Sequence, residues 1–421
     1  MKNMIKAVAL SLSLAFIGSA AMGAGFALYE FSARGNAMGG AVMANKAEAA
    51  SMAVNPALIT ELDGLQVQAG ATFVAPASTT SFAAGLPAGG ERDLKSKVFT
   101  LPNFYTTYKA SEAVSLGLAV FSRFGLGGEY ENPNPWLGSA SAYKFDVQTI
   151  SATPVVAAKV SDDISVAMGL EFMDISFSED KYLNGTGAAP FSVEGDGMSW
   201  GGVFGISYKP EWAEKKLGFG LSYRTKTRQV LDGTLKAPSM GFANADVRGS
   251  VTLPDAVNLG VSYQFTPKFL IETGIIGTFW SSMDAIRIEV PTAAAAPAQG
   301  LMLIEQKDYK DVVRFNLGAE YALTDNWDIR GGYVFDQSPT NKGLMDTLVP
   351  VGDRHLFNLG LGYHRDNWGV DAAYTYLLGK KMNGTGHLPD GTAVPVKYTN
   401  GSSHMFGITF KYTFDVPLLR S

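Results

Sequence analysis

The 421 residues predict an all-β membrane protein, a 14-stranded antiparallel transmembrane β-barrel with its N-terminal segment as a hatch (plug) inside the lumen. Three observations carry that expectation. From Leu65 onward apolar residues recur at every second position, the period of a half-buried strand. The links between these stretches alternate strictly between short and long, as when tight turns close one end of an outer-membrane barrel and long loops the other. A leader of exported type is followed by no run of 18 apolar residues, so a mature chain that enters a membrane does so as a closed barrel.

The chain begins MKNMIKAVALSLSLAFIGSAAMGAGF. Lys2 and Lys6 form a basic n-region, Ala7–Gly18 an apolar h-region, and Ala21-Met22-Gly23 supplies small residues for a signal peptidase. Residues 1–23 therefore read as a signal peptide, cleaved near Gly23/Ala24. An N-terminal membrane helix is the alternative, but the apolar run is shorter than the roughly 20 residues a span needs. Cleavage removes two lysines and no acid, making the formal charge of −5 more negative. An acidic exported chain without basic tracts is a poor partner for nucleic acid. The absence of cysteine excludes disulfide scaffolds, thiol nucleophiles and a lipid-modified N-terminal cysteine.

Residues 24–64 match neither leader nor strands. They are rich in Gly, Ala and Asn and hold one rigid Asn55-Pro56-Ala57 step, so they are either a disordered tail or a folded plug. The barrel follows over 65–414, with strands near 65–75, 97–109, 113–124, 145–160, 163–177, 197–209, 216–230, 246–265, 268–289, 303–323, 326–337, 352–364, 367–378 and 403–414. Short turns are expected at 110–112, 161–162, 210–215, 266–267, 324–325 and 365–366. Long loops are expected at about 76–96, 125–144, 178–196, 231–245, 290–302, 338–351 and 379–402. An even strand number puts both termini on the periplasmic side, and residues 415–421 read as a short periplasmic tail after the terminal aromatic Phe414. A soluble β-sandwich would explain the alternation. It would not explain the link rhythm or the outward aromatics at strand ends, such as Tyr208, Tyr263, Trp327, Tyr363 and Trp368. Pro102 and Pro154 predict a bulge or break in strands 2 and 4, because proline withdraws a ladder donor.

Gly201, Gly205, Gly218, Gly220, Gly318, Gly332, Gly360 and Gly362 fall on the inward parity and leave volume in the lumen. Fourteen strands enclose more space than their own side chains fill, so either water or residues 24–64 occupy it. The basic residues Arg224, Arg248, Lys307 and Arg314 lie on or near the same parity. They either pair with acids such as Glu171, Glu320 and Asp371, or leave a cation for an anionic head group. Four histidines, His355, His364, His387 and His404, are too scattered for a shared catalytic pocket. No GxSxG, HExxH or phosphate-loop motif occurs, so no enzyme, metal or cofactor is expected. In the third strand the clean run Val114–Val120 gives way to Ser122-Arg123-Phe124-Gly125, followed by Gly127 and Gly128. That is either a strand running into its loop or a kink that opens the wall.

Three blocks resemble a known family. AGFALYEFSARGNAMGG follows the leader, VNPALITELDG ends the N-terminal segment, and QKDYKDVVRFNLGAEYALTDNWDIRGGYVFDQSP leads to VGDRHLFNLGLGYHRDNWGVDAAYTYLLGKK near the C-terminus. They resemble FadL-type outer-membrane long-chain fatty acid transporters and relatives that admit aromatic hydrocarbons. The resemblance implies capture of hydrophobic substrate at the outer loops, a lumen pocket beside the hatch, and lateral release through a kink in strand 3. By position it assigns Phe26, Lys307 and Arg314 to the ligand pocket, Asn55, Pro56 and Ala57 to the hatch, and Ser122, Arg123, Phe124 and Gly125 to the lateral opening. The family's further head-group arginine falls at Ser176, a departure from the pattern. The implied partners are hydrophobic small molecules (fatty acid, alkane or aromatic hydrocarbon), outer-membrane lipid and, during biogenesis, the barrel assembly machinery, with the protein a monomer. A general water-filled porin or a structural surface protein, with residues 24–64 a mere tail, is the rival.

Overall fold

The computed structural model describes residues 25–185, 187–290, 302–350 and 352–418. The expected signal peptide lies outside the described residues, as do the last three residues of the tail. Fourteen spans form one closed antiparallel sheet. They are β1 (Leu65–Phe82), β2 (Phe99–Lys109), β3 (Val114–Phe121, then Gly125–Glu129), β4 (Lys144–Lys159), β5 (Ile164–Tyr182), β6 (Pro190–Tyr208) and β7 (Leu217–Arg224, then Thr227–Ala237). They continue as β8 (Phe242–Leu253, then Ala256–Thr266), β9 (Phe269–Thr278, then Ala285–Glu289), β10 (Met302–Gln306, then Val312–Ala322), β11 (Trp327–Asp336), β12 (Arg354–Arg365), β13 (Trp368–Gly379) and β14 (Ala393–Phe414). The sheet closes where β1 pairs with both neighbours, Leu65 opposite Tyr108 of β2 and opposite Phe414 of β14. Closure gives each span a neighbour on both sides, as lipid demands.

Alternation puts large apolar side chains outward, and they stay exposed: Phe172, Met168, Phe204, Leu317, Leu359 and Phe406. Near the short turns the outward residues are aromatic and touch one another, Tyr263 with Phe265, Trp327 with Tyr363, and Tyr363 with Trp368. This is the girdle expected where lipid meets water. Along β6 the outer face changes character. Trp200, Phe204 and Ile206 are exposed towards the turn end, whereas Glu194 and Asp196 take the same parity towards the loop end. The inner face changes the other way, from Gly201, Gly205 and Ser207 to buried Phe191 and Val193. Strand therefore continues above the apolar band with its polarity reversed.

Expected loops are cut short by strand: residues 76–82 prolong β1, 393–402 belong to β14, and 90–93 and 382–387 are strand as well. The reversal accounts for two further corrections. Residues 178–196 and 231–245 are largely strand, leaving only 183–189 and 238–241 as links, because β5 to β8 rise past the band as hairpins. Strands 7 to 10, expected to be continuous, are each interrupted, at 225–226, 254–255, 279–284 and 307–311. At Pro102 no bulge forms. Its register opposite Ala71 is unshifted, and this half of β2 has no partner on its β3 side. At Pro154 the β4–β5 ladder lapses between the pairs Ala152↔Phe172 and Val155↔Gly169 while pairing to β3 continues.

Residues 25–64 lie against the inner faces of the strands. Ser32 caps a short helix α1 (Ala33–Ala37) by accepting from the Gly35 N–H, and two 3₁₀ turns follow at Ala49–Ala53 and Pro56–Glu61. The inward glycines make the fit possible. A Cβ on Gly220 would stand 2.0 Å from the Met43 carbonyl oxygen, and one on Gly360 would stand 2.4 Å from the Ala37 Cβ. The segment is also held by charge, since Arg34 reaches Glu320 at 2.9 Å.

Candidate functional site

The barrel wall has a window. β2 and β3 pair only from Phe104↔Val120 to Lys109↔Ser115, so Phe99–Asn103 face no strand on that side. At Ser122 the chain of β3 leaves the ladder. The Thr149 hydroxyl of β4 takes both backbone groups of Phe124, accepting from its N–H at 2.9 Å and donating to its carbonyl at 2.7 Å. Pairing resumes at Gly125–Glu129 with β4 alone, and the Lys95 N–H donating to the Glu129 carbonyl (2.8 Å) bounds the window above.

The N-terminal segment covers this window from inside. The Gly125 N–H donates to the Phe26 carbonyl and the Leu28 N–H to the Arg123 carbonyl, each at 2.9 Å. The Leu28 side chain packs with Val74 and Leu101, and the Tyr105 hydroxyl donates to the Phe31 carbonyl at 2.9 Å. Three main-chain and side-chain bonds therefore stand in for the missing part of the β2–β3 ladder.

Two cavities meet behind the window. The outer one is walled by the inward apolar residues of the hairpins, among them Val147, Ile175, Val193, Leu231 and Val247, with Phe26 on one side. The inner one is bounded by Leu28, Phe31, Val54, Phe124 and Ile276, with Arg123 and Arg224. A ring cluster stands between them. Phe26, of the outer cavity, touches Phe124, of the inner, at 5.9 Å between centroids, and Trp280 touches both at 4.9 and 6.1 Å. Beyond the outer cavity a groove opens among the loops and shares Lys307 and Ile288 with it.

Charge is distributed unevenly along this series. At the neck between groove and outer cavity, Lys307 Nζ lies 2.7 Å from Asp346 and 3.5 Å from Glu305. Lys181 pairs with Glu179 at 2.8 Å and with Glu305. Three carboxylates thus face two ammonium groups. In the inner cavity the proportion is reversed, with Glu171 shared between Arg123 at 3.0 Å and Arg224 at 3.2 Å. Elsewhere in the lumen Glu320 joins Arg34 and Arg330, and Asp371 joins Arg330 and Lys411.

Of the residues singled out in the sequence, Phe26 and Lys307 line the outer cavity. Ser122, Arg123 and Phe124 form the break at the window, and Gly125 is where pairing resumes. Arg314 lines neither cavity. It bonds Asp336 at 2.9 Å, shares that carboxylate with Arg354, and lies 4.3 Å over the Tyr29 ring. The Asn55-Pro56-Ala57 step sits against β6 rather than the window. Asn55 Nδ2 donates to the carbonyls of Met43 (2.8 Å) and Ile206 (3.0 Å), and its Oδ1 accepts from the Ala57 N–H at 3.2 Å. Sequence reasoning missed Trp280, whose only signal is the break in alternation at Phe279–Asp284, and the joining of Arg123 to Arg224 through Glu171.

A family described as "Outer membrane protein transport protein (OMPP1/FadL/TodX)" matches residues 14–414. A long-chain fatty acid transport protein of Escherichia coli O6:H1 is 24% identical, over 98% of this chain and 99% of its own. Outer membrane protein P1 of Haemophilus influenzae is also 24% identical, over 89% and 90%. Among solved structures, a Pseudomonas aeruginosa FadL homologue superposes with a TM-score of 0.80 at 18% identity, over 92% of this chain and 99% of that one. The Ralstonia pickettii toluene transporter TbuX superposes with a TM-score of 0.67 at 19% identity, with the same coverage.

Proposed function

Since this chain belongs to the OMPP1/FadL/TodX family of outer-membrane transport proteins, we propose that it is a passive uptake route for hydrophobic compounds that ends sideways, in the wall. The loop groove captures the compound, the apolar outer cavity holds it beside Phe26, and it leaves through the window between β2 and β3. The observation that carries this reading is continuity: groove, outer cavity, ring cluster, inner cavity and window adjoin one another in that order. Relatives named for long-chain fatty acid transport and a fold shared with a toluene transporter supply the class of compound. Moving an alkyl chain out of water gains roughly 0.8 kcal/mol per methylene, enough for capture without an energy source.

On this reading the gate is the stretch Phe26–Phe31, and the Asn55-Pro56-Ala57 step is a fixed corner that anchors it to β6. The gate has to part from the window for each passage. The chain has no native cysteine, so a lock can be introduced cleanly. Ala27 and Phe124 are antiparallel bridge partners, whose Cα atoms stand about 4.5–5.5 Å apart, within reach of a disulfide. In Ala27→Cys/Phe124→Cys, oxidation should abolish uptake of a labelled fatty acid and of a labelled monoaromatic, and reductant should restore both. Undiminished uptake by protein shown to be bridged would sink the lateral route.

A further inference from the structure

We propose that the inner cavity is a carboxylate site, formed by Arg123 and Arg224, for the head group of a long-chain acid. The assignment rests on the reading that this cavity lies on the uptake route. Both arginines line the cavity, whereas the glutamate they share does not. Arg123 and Arg224 are each 6% exposed and Glu171 is fully buried behind them, so the cavity meets the positive side of an unequal cluster.

The remaining partners of the two arginines carry no charge. Arg123 donates to the carbonyls of Thr225 (3.3 Å) and Pro254 (3.0 Å), which are freed from the sheet by the breaks in β7 and β8. Arg224 donates to the carbonyls of Met52 and Ala53 at 3.2 and 3.4 Å. These dipoles solvate the surplus cation without neutralising it. Arg224 Nη1 makes the ion-pair contact with Glu171 but no hydrogen bond of good geometry. A second carboxylate would supply the missing charge, in the charge-assisted form that is strongest in a dry site.

The rest of the lining says what the carboxylate is attached to. Apart from Asn258 and the hydrogen-bonded pair Tyr29 and Thr278 the rest of the wall is apolar, so an inorganic anion would be poorly housed and an alkyl chain well housed. The chain would extend past Phe124 and Phe26 into the outer cavity. The bound acid therefore lies with its head inward of the neck, whose surplus of carboxylates slows entry of the head group and opposes its return. The neck repels the head group that the inner cavity retains.

The test uses purified full-length protein in non-ionic detergent, with laurate, 1-dodecanol and dodecylamine as probes of equal chain length. Laurate should bind at least tenfold more tightly than the alcohol, and the amine most weakly. Arg224→Gln leaves Arg123 and Glu171 as a one-to-one pair, so it should bring laurate to the level of the alcohol while shifting the alcohol less than twofold. Arg224→Lys should keep most of the preference. Equal binding of acid and alcohol by the unaltered protein overturns the proposal without any variant having to fold. Loss of laurate binding in Lys307→Gln but not in Arg224→Gln overturns it in favour of the neck. Failure of the alcohol to enter cells would instead count against the uptake route.

Discussion

The neck and the inner cavity are built from the same materials and tuned in opposite directions. Both gather buried acids and bases from different strands, and both border the same apolar cavity. At the neck, Glu179, Glu305 and Asp346 outnumber Lys181 and Lys307. Inside, Arg123 and Arg224 outnumber Glu171. A buried ion pair contributes little net stability, because desolvation offsets most of the attraction. The informative quantity is therefore the residue left over, which sets the sign of charge that each place admits. The neck is suited to passing uncharged apolar groups, and the inner cavity to stopping an anion.

The largest expected contrast is in stability. Glu171→Gln would leave two fully desolvated guanidiniums without a carboxylate, and breaking such a group costs about 3–5 kcal/mol. Asp346→Ala leaves Lys307 with Glu305 at 3.5 Å, so a loss of about 1 kcal/mol is expected, near that of a partly screened pair. Urea unfolding of the vesicle-inserted barrel, followed by tryptophan fluorescence, measures both. Equal losses would mean that the two clusters differ in arrangement but not in balance.

The difference between the clusters also explains what could be read from the chain. Strand and turn positions near the membrane were legible because their signal is local. Alternation such as Val313 to Tyr321 and two-residue links such as Thr266-Pro267 need no knowledge of the partner strand. The hairpins over 178–196 and 231–245 were not legible, because above the bilayer the outward residues become Glu194, Asp196 and Asp232 and a search for outward apolar residues fails there. The breaks in β7 to β10 were hidden for another reason. Each is stabilised by something distant in sequence, as Pro254 is by Arg123 through a bond across 131 positions. Phe26 and Lys307 could be placed by resemblance to a family, but which carboxylate answers which cation depends on closure of the barrel.

The apolar cavity that separates the clusters should serve acids and neutral compounds alike. Gly249 tests this. The atoms nearest to a Cβ there would be those of the Leu231 side chain and the Arg287 carbonyl, at 3.6–3.9 Å, which is ordinary contact. Gly249→Leu should therefore fold normally while filling part of the cavity, and should weaken laurate and 1-dodecanol together by roughly tenfold, the worth of one or two displaced methylenes. Weakening of the acid alone would place the alkyl chain elsewhere and detach the inner cavity from the outer one.

The smallest effect expected is kinetic and belongs to the neck. Asp346→Asn removes the surplus carboxylate while keeping the side-chain oxygen that accepts from the Leu348 N–H at 2.8 Å. Neutralising one charge on the approach changes the encounter rate of a charged ligand more than its final affinity. Laurate association, followed by stopped-flow quenching of tryptophan fluorescence, should quicken about two- to threefold, with its equilibrium affinity and the rate for 1-dodecanol unchanged. Raising salt to about 1 M shortens the screening length to about 3 Å, which should erase the difference between the variant and the parent. Acceleration of the alcohol as well would show that Asp346 acts by narrowing the neck rather than by its charge. In that case the two clusters would differ as a constriction and a site, not as opposite ends of a potential.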